Sequence, residues 1–312
     1  MKVLKTIALA VLAILSLGMV GGYVYFDRKF SPPENYLTVF DEVTDVPVAW
    51  ITSDDNPHSA LLLPVKVAGV NAQFFMQLDF GSPSTLFYRR TLESVFELLE
   101  DKISIVSNSK EVGLAFTLGE MSVSSSHFRL IDYGSKVDLE DADTHIIIGT
   151  IGTDLLEKRV LVMDFIKDRC SFLLSVSDSG FSDFQFKKRR ILFPTLLDGN
   201  EIELLYDSGT SGYELITDQD SWKEFRTPGG TVKSEPGNSW GNSLDVFSAP
   251  CDKILKMGEV DLKLSEITYI SGTSTLQNLL MRSSGMDGMI GNKLFIHRKV
   301  TLDCHNERFK IE

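Results

Sequence analysis

Cysteine and histidine are both scarce in this chain. Its 312 residues include three cysteines, Cys170, Cys251 and Cys304, and five histidines. No two cysteines have CxxC spacing, and no Cys/His cluster has the spacing of a metal site. An odd, sparse set of cysteines is not a disulfide framework, although one bridge between Cys251 and Cys304 stays open. The sequence therefore predicts no metal site.

Basic residues are outnumbered by acidic residues, and the sequence has no phosphate-binding loop. The chain has 31 Lys and Arg against 43 Asp and Glu, a net charge of −12. This balance argues against a nucleic-acid partner, because phosphates are bound by a basic face. No glycine-rich phosphate loop or dinucleotide fingerprint occurs, so no nucleotide and no cofactor is predicted. The acidity is interpreted as a contribution to solubility.

Long hydrophobic runs are confined to the N-terminus. Thr6–Phe26 is a run of 21 residues without a charge, preceded by Lys2 and Lys5. This length can span a bilayer as a helix. The alternative is a cleaved signal peptide, but no A-x-A-like site follows the run, which favours an uncleaved signal anchor. The two lysines favour a cytoplasmic N-terminus. We therefore expect a single-pass protein of the inner (plasma) membrane, with residues 27–312 on the periplasmic or extracytoplasmic side.

Two short runs carry the candidate chemistry. Leu78–Ser82 and Tyr206–Thr210 each place Asp, one variable residue, Gly and a hydroxyl residue after an alternating apolar stretch. This pattern predicts a strand that ends in a tight turn. Two carboxylates brought together share a proton and perform acid–base chemistry. The candidate catalytic residues are therefore Asp79 and Asp207.

An internal repeat supports the pairing of these turns. At a constant offset of 139, residues 119–172 align with residues 258–311 without a gap. Identical pairs include Gly149/Gly288, Gly152/Gly291, Arg159/Arg298 and Asp164/Asp303. The Asp turns align at an offset of 128, so the second copy has 139 − 128 = 11 extra residues. We assign these to a loop within Thr227–Ser243. A repeat of this length indicates two domains of one kind.

The alternation of apolar residues predicts individual elements. The predicted strand pairs are Leu61–Val67 with Gln73–Leu78, Val160–Phe165 with Cys170–Leu174, Ile191–Thr195 with Glu201–Tyr206, and Lys299–Cys304 with Arg308–Ile311. Thr91–Lys102 has helical spacing. Short strands are expected in Leu37–Val43 and Val46–Ile51, and Ser175–Arg190, with its basic run, is interpreted as a solvated linker.

At this point the motifs resemble those of aspartic proteases of the pepsin and retropepsin kind. Asp79-Phe80-Gly81-Ser82 resembles the first-lobe motif Asp-Thr-Gly-Ser, and Asp207-Ser208-Gly209-Thr210 matches the second-lobe motif. Ile147–Gly152 and Asp287–Gly291 resemble the segments that support each catalytic turn. The resemblance covers residues 59–312.

The resemblance implies an all-β fold of two homologous lobes with the active cleft between them, and the uncharged run Thr6–Phe26 adds one N-terminal transmembrane helix before them. The implied division is a signal anchor over 1–26, a linker with short strands over 27–58, an N-terminal lobe over 59–178 and a C-terminal lobe over 179–312.

The resemblance also implies a function and the residues that perform it. The protein would be a membrane-anchored aspartic endopeptidase that cleaves a polypeptide substrate with water activated between Asp79 and Asp207, without metal or cofactor. The residues implied to support the turns are Gly81, Ser82, Ser208, Gly209 and Thr210. The hydroxyls of Ser82 and Thr210 would donate hydrogen bonds to the outer carboxylate oxygens, and the two glycines would let backbone amides approach the carboxylates.

Two departures from the family pattern keep an alternative open. Phe80 stands where the family has Thr or Ser, whose hydroxyl forms a hydrogen bond to the opposite turn; this connection between the turns is called here the hydroxyl grip. Phe80 is predicted to pack between the lobes, while Ser208 keeps its half of the hydroxyl grip. The flap candidate Ser107–Leu118 lacks the tyrosine of pepsin-like members. Retropepsin-like bacterial members therefore fit better. The alternative is a catalytically silent homologue that binds a peptide or protein partner in its cleft.

A few other residues are given structural roles. Asp164 and Asp303, each followed by an arginine, are expected to anchor turns. Tyr213 and Trp240 are expected to serve packing rather than to line the cleft.

Overall fold

The computed structural model describes residues 31–53, 56–95, 99, 109–137, 145–177, 179–239, 242–272 and 286–312. The chain divides into two compact units, Met1–Glu34 and Asn35–Glu312. Only residues 31–34 of the first unit are described, so the predicted membrane helix over Thr6–Phe26 lies outside the described residues. Within the described ranges, no helix combines the length and apolar character that crossing a membrane requires.

The second unit consists mainly of β-strands, which confirms the predicted all-β class. In chain order the strands are β1 Thr38–Phe40, β2 Val43–Pro47, β3 Ala49–Ser53, β4 Asn56–Val67, β5 Phe74–Leu78, β6 Leu86–Tyr88, β7 Glu111–Leu118, β8 Met121–Ile131, β9 Ile147–Ile151, β10 Val160–Asp164, β11 Arg169–Leu173, β12 Ser182–Asp183, β13 Gln185–Lys187, β14 Arg190–Leu197, β15 Asn200–Tyr206, β16 Leu215–Thr217, β17 Lys233–Ser239, β18 Asn242–Pro250, β19 Ile254–Met257, β20 Val260–Lys263, β21 Glu266–Ser271, β22 Gly288–Ile290, β23 Lys299–Asp303 and β24 Arg308–Ile311. The helices are α1 Arg89–Ser94 and α2 Gln219–Phe225, and short 3₁₀ turns cover Thr153–Leu156, Ser208–Thr210 and Asn292–Phe295.

Most strands of the N-terminal half (β1–β11) and of the C-terminal half (β12–β24) form two large sheets, whose central strands follow the same path. The hairpin β4–β5 pairs through β5 with the parallel strand β9, then β9 pairs with β6, and β6 with the parallel strand β8. The hairpin β14–β15 pairs in the same way with β22, β16 and β21. The sequence repeat therefore corresponds to a repeated topology.

A third sheet joins the two halves. Its strand order is β12-β24-β23-β10-β11-β2, with the antiparallel pair β10 and β23 at its centre. In this pair Val162 lies opposite Thr301, and these are equivalent repeat positions because 301 − 162 = 139. A residue that pairs with its own repeat equivalent marks a local twofold relation between the halves.

The predicted hairpins are confirmed. Strand β4 pairs antiparallel with β5, β10 with β11, β14 with β15, and β23 with β24. Short strands in the segment before the first hairpin are confirmed as β1, β2 and β3, which pair with β8, β11 and β4. Helix α1 begins at Arg89, two residues before the predicted start, and residues 96–98 and 100–102 of the predicted helix lie outside the described residues.

The prediction of a solvated basic linker over Ser175–Arg190 is wrong at its C-terminal end. Arg189 is only 5% exposed. Its Nε donates to Glu157 Oε1 at 2.6 Å, and its Nη1 donates to the Pro83 carbonyl at 3.1 Å. A run of basic residues does not reveal this burial, because both partners belong to the other half of the chain.

One prediction about a loop is also corrected. The stretch Thr227–Ser243, predicted as a loop, contains β17 and the start of β18, which form an antiparallel hairpin. Strand β17 is the edge of its sheet, so it does not need the alternating apolar residues that mark a half-buried strand. The flap candidate Ser107–Leu118 is mostly strand β7, and Phe116 is fully buried against Phe87 and Phe128. Residues 107–108 lie outside the described ranges.

Candidate active site

The two Asp turns occupy equivalent positions in the two halves. Each begins where the second strand of a hairpin ends, beside a parallel strand that holds the Asp backbone. The Asp79 amide donates to the Ile151 carbonyl at 3.1 Å, and the Asp207 amide donates to the Ile290 carbonyl at 2.9 Å. The segments Ile147–Gly152 and Asp287–Gly291 therefore support the turns, as predicted.

Each carboxyl group is fixed by a glycine amide of its own turn. The Gly81 amide donates to Asp79 Oδ1 at 2.9 Å, and the Gly209 amide donates to Asp207 Oδ1 at 2.8 Å. An amide that donates to a carboxylate favours the charged form and fixes the orientation of its plane. The two carboxyl groups therefore have the same local hydrogen-bond geometry.

Each glycine also lies against the carboxyl group of the other turn. A Cβ atom on Gly81 would lie 2.7 Å from Asp207 Oδ1, and a Cβ atom on Gly209 would lie 2.6 Å from Asp79 Oδ1. Both distances are below van der Waals contact, so a side chain at either position would push the turns apart. The two carboxyl groups approach closely enough to share a hydrogen bond.

The two carboxyl groups titrate as a pair. Burial is the largest effect on both, and it raises the pKa of Asp79 and of Asp207 above the ordinary aspartate value. The charge of Asp207 raises the pKa of Asp79 further. For Asp207, hydrogen bonds from Gly209, Asp79 and Gly81 favour the charged form and oppose the effect of burial. We therefore conclude that the pair holds one shared proton at neutral pH.

The residue after each Asp joins the two turns in an unequal way. Ser208 Oγ accepts a hydrogen bond from the Phe80 amide at 3.0 Å and donates to the Leu78 carbonyl at 2.9 Å. Phe80 is 1% exposed, and its ring meets Tyr206 edge to face at 5.0 Å. The prediction that Phe80 packs between the halves is confirmed. The serine thus forms a hydroxyl grip, and the phenylalanine returns an apolar contact.

The predicted roles of the Ser82 and Thr210 hydroxyls are wrong. Ser82 Oγ donates to the Ser84 carbonyl at 2.7 Å, and Thr210 Oγ1 donates to the Asp207 carbonyl at 2.8 Å. A hydroxyl has one proton to donate, so neither group donates to a carboxylate oxygen. The backbone amides of Ser82 and Thr210 donate to the main-chain carbonyls of Asp79 and Asp207 at 3.2 and 3.1 Å, and they lower the pKa of the two carboxyl groups.

A buried carboxyl group supports the first turn from below. Asp154 Oδ2 accepts from the Thr85 amide at 2.8 Å, and Asp154 Oδ1 accepts from Thr85 Oγ1 at 2.7 Å. Burial raises the pKa of Asp154, and its hydrogen bonds with Thr85 oppose that shift. The neighbouring Thr153 amide donates to the Ser82 carbonyl at 3.0 Å. Sequence analysis found the supporting segment through its glycines but missed Asp154.

An amide side chain takes the supporting position under the second turn. Asn292 Nδ2 donates to Ser211 Oγ at 2.9 Å, and Asn292 Oδ1 accepts from the Tyr206 hydroxyl at 2.8 Å. Asn292 is fully buried. It is the repeat equivalent of Thr153, because 292 − 153 = 139. The repeat alignment already placed this residue beside Gly291, and a buried polar residue after such a glycine was the available signal.

A cleft of about 850 Å³ opens over the two carboxyl groups. Asp79, Asp207, Gly81, Gly209 and Thr210 lie in its lining, which brings together five of the seven residues named from the sequence. Ser82 and Ser208 are buried beneath it. The hairpin β17–β18 lines the cleft with residues that include Leu244 and Val246, so a hairpin of the C-terminal half borders the site.

One aromatic residue of the cleft was assigned wrongly. Tyr213 was expected to serve packing, but it lines the cleft, and its hydroxyl donates to Glu235 Oε1 of β17 at 3.0 Å. Burial, followed by the charge of Glu235, raises the pKa of Tyr213. Trp240 lies outside the described residues.

The remaining candidates lie away from the cleft. Asp303 accepts from the Asn306 amide at 3.1 Å and from Arg308 Nε at 2.8 Å, so its predicted role as a turn anchor is confirmed. Asp164 accepts from the Lys167 amide at 3.1 Å. All three cysteines are free and buried, which rules out the Cys251–Cys304 bridge. Across the described ranges, no three His, Cys, Asp or Glu side chains cluster as metal ligands.

The comparisons with known proteins leave the site to be interpreted from its geometry. No protein-family model matches the chain, and no curated protein matches its sequence significantly.

Proposed function

We propose that this protein is an aspartic endopeptidase of the pepsin and retropepsin kind, with two homologous lobes and Asp79 and Asp207 as its catalytic pair. One observation carries the proposal. The two carboxyl groups come from equivalent turns, each held by its own glycine amide at 2.9 and 2.8 Å, and each faced by the glycine of the other turn. Both lie in a cleft of about 850 Å³.

The mechanism follows from the unequal environments of the two carboxyl groups. In the proposed mechanism the pair shares one proton, with Asp207 as the base and Asp79 as the acid. The charged Asp207 removes a proton from a water molecule, whose oxygen attacks the carbonyl carbon of the peptide bond. Asp79 donates a hydrogen bond to the carbonyl oxygen. When the C–N bond breaks, Asp207 gives the proton that it took from water to the leaving amine. The pair then again holds one shared proton.

A silent homologue that binds a peptide or protein partner is the second candidate. The observation that favours it is Phe80, which is buried against Tyr206 where a hydroxyl would complete a reciprocal grip. The grip fixes the relative position of the turns, and catalysis depends on that position within fractions of an ångström. Cleavage activity distinguishes the two candidates.

The membrane anchor is proposed from the sequence alone. The uncharged run Thr6–Phe26 after Lys2 and Lys5 would hold the protein in the inner membrane with the lobes outside the cytoplasm. Protease accessibility in intact and lysed spheroplasts tests this orientation. Recovery of soluble protein that begins after Gly22 would instead indicate a cleaved signal.

The full-length protein in detergent, with a denatured fluorescent protein as substrate, tests the catalytic proposal. Asp79→Asn and Asp207→Asn are each expected to lower turnover at least about a thousandfold while circular dichroism stays unchanged. Asp183→Asn, on an exposed position of β12, is the matched control and should keep wild-type turnover. A folded Asp79 or Asp207 variant with near-wild-type turnover would contradict the shared pair. A folded wild type that binds the substrate without cleaving it would support the silent homologue.

A further inference from the structure

The wall of the cleft beside Asp79 is polar. Gln77 lies two residues before Asp79 on β5, and side chains two apart share one face of a strand. Tyr88 and Tyr133 complete this wall, with their rings edge to face at 5.0 Å. Tyr88 is fixed by a hydrogen bond of 2.6 Å between its hydroxyl and Thr150 Oγ1. Because Tyr88 is 4% exposed and its hydroxyl is paired with Thr150, the amide of Gln77 is the polar group of this wall from which we argue.

Part of the wall beside Asp207 is apolar, next to the polar residues Thr210, Tyr213 and Thr217. Met289 of β22 lies opposite Ile216 of β16, and both side chains line the cleft. Leu244 and Val246 of the hairpin β17–β18 extend the same apolar surface. Met289 is the repeat equivalent of Thr150, since 289 − 150 = 139. The duplicated fold thus has a methionine in the cleft where the other half has a hydroxyl that holds a tyrosine.

Carboxyl groups also line the cleft on the side of the C-terminal half, but they do not form a free acidic subsite. Asp218 Oδ1 accepts from the Asp220 and Ser221 amides at 2.8 and 3.1 Å, which caps helix α2. Asp287 Oδ2 accepts from the Glu203 amide at 2.8 Å. These carboxylates serve the fold, so the inner walls are the better guide to the substrate.

We infer that the cleft selects a peptide bond flanked by two unlike residues, an uncharged hydrogen-bonding residue against Gln77, Tyr88 and Tyr133 and an aliphatic residue against Ile216 and Met289. This inference rests on the proposed endopeptidase function. A polar wall that is covered by an apolar side chain loses its hydrogen bonds to water without replacement, and a polar side chain on the apolar wall suffers the same loss. Selection by hydrogen bonds is stronger than selection by shape.

The test uses isosteric exchanges, because glutamine and methionine have nearly the same length and volume. The full-length protein in detergent is given a library of peptides, and mass spectrometry identifies the residues on both sides of each cleaved bond. The wild type should cleave between a residue such as Gln, Asn, Ser or Thr and a residue such as Leu, Ile or Val. Gln77→Met should lower the preference for the polar residue about tenfold, and Met289→Gln should lower the preference for the aliphatic residue by a similar factor. Gln185→Met makes the same exchange on an exposed residue of β13 and should leave both preferences unchanged.

The outcomes separate this inference from the proposed function. Cleavage by the wild type with aliphatic residues on both sides, or with no preference, overturns the inference and leaves the endopeptidase in place. The same holds if folded Gln77→Met and Met289→Gln proteins cleave with wild-type preferences. If one variant fails to fold by circular dichroism, the wild-type library and the other variant still decide. No cleavage of any peptide by folded wild type overturns the proposed function and the inference with it.

Discussion

In the N-terminal half, the Asp79 turn presents a buried phenyl ring and backbone groups to its partner, whereas the Asp207 turn presents a hydroxyl. Ser208 makes both side-chain hydrogen bonds that connect the turns, to the Phe80 amide and the Leu78 carbonyl. Phe80 returns an edge-to-face contact with Tyr206. The carboxyl geometry is nevertheless the same in both turns. The comparison indicates that the glycine amides set the geometry of each carboxyl group, while the residue between Asp and Gly joins the halves.

The supports beneath the two turns differ as well. Under the first turn Asp154 accepts from the Thr85 amide and hydroxyl, and under the second Asn292 connects Ser211 to Tyr206. The two supporting residues are not at equivalent repeat positions, since Asn292 corresponds to Thr153, so each half satisfies its local donors and acceptors with a different side chain. The backbone hydrogen bonds from the Asp79 and Asp207 amides to the supporting strands are common to both halves. The shared part of the site therefore lies in the backbone, and the side chains can vary.

Removal of the hydroxyl grip should have the largest effect on stability. Ser208 is fully buried, so Ser208→Ala leaves the Phe80 amide and the Leu78 carbonyl without their partner. We expect a loss of about 2–4 kcal/mol in the free energy of unfolding, measured by chemical denaturation, because each unsatisfied buried group costs about 1–3 kcal/mol. Turnover should fall as well.

Ser248→Ala is the matched control for this change. Its hydroxyl pairs with Thr268 Oγ1 at 2.8 Å inside the C-terminal sheet and does not connect the halves. Its loss should cost about 1 kcal/mol and leave turnover unchanged. Equal losses of stability and turnover in the two variants would show that Ser208 has no special role between the turns.

Phe80→Thr tests whether the missing hydroxyl can be restored. The substitution removes a ring that is 1% exposed, so we expect a loss of about 2–4 kcal/mol in unfolding free energy. By the repeat relation, the new hydroxyl would face the Ser208 amide and the Tyr206 carbonyl. Turnover measured under single-turnover conditions should then rise although stability falls. Phe80→Leu keeps an apolar side chain without a hydroxyl, and its turnover should not rise. A Phe80→Thr protein with wild-type stability and rate would contradict both the packing and its link to the carboxyl pair.

The equivalent aspartates Asp303 and Asp164 give a comparison outside the cleft. Burial alone would raise the pKa of Asp303, but hydrogen bonds from Asn306 and Arg308 outweigh it and lower the pKa. Asp303→Asn should therefore cost about 2–3 kcal/mol at neutral pH, since hydrogen bonds to charged groups contribute about 1.5–3 kcal/mol. Asp164 pairs with the largely exposed Lys167, and Asp164→Asn should cost less than about 1 kcal/mol. Because the folded pKa of Asp303 is lowered, its contribution is present above the unfolded pKa and is lost as the pH falls through the folded pKa. If the difference in unfolding free energy between wild type and Asp303→Asn stayed constant down to pH 2, this pH dependence would be contradicted.

The sequence predicted the hairpins and the position of the carboxyl pair because both depend on local signals. Alternation and turn residues define β4–β5 and β14–β15, and the repeat brought Asp79 and Asp207 together. It did not predict the hairpin strand β17, because an edge strand of polar residues has the composition of a loop. It also missed Asp154 and Asn292, whose partners lie 69 and 81 residues away along the chain. Contacts of that range depend on the finished fold, so the position of Asn292 directly after Gly291 did not reveal its partners.

The last expected effect is a gain in stability, because Asp79→Asn removes an acid that releases its proton more readily in the unfolded chain than in the folded protein. Burial, followed by the charge of Asp207, raises the pKa of Asp79, so the folded protein binds this proton more tightly than the unfolded chain does. Stability therefore falls as the pH rises above the unfolded aspartate pKa, because the unfolded chain releases its proton first. Asp79→Asn removes this penalty, since asparagine resembles the protonated acid. At pH 7 we expect the variant to be more stable than the wild type by at most about 4 kcal/mol, because pH 7 lies about three units above the unfolded pKa and below the folded pKa of about 8, and each unit corresponds to about 1.4 kcal/mol. Below about pH 4, where both states of the wild type hold the proton, the difference should vanish. Thermal unfolding of wild type and Asp79→Asn across pH 3–8 measures it, with Asp183→Asn as the exposed control. A variant that is less stable than wild type at pH 7 would show that Asp79 is charged in the folded protein, and the proton would then have to be assigned to Asp207.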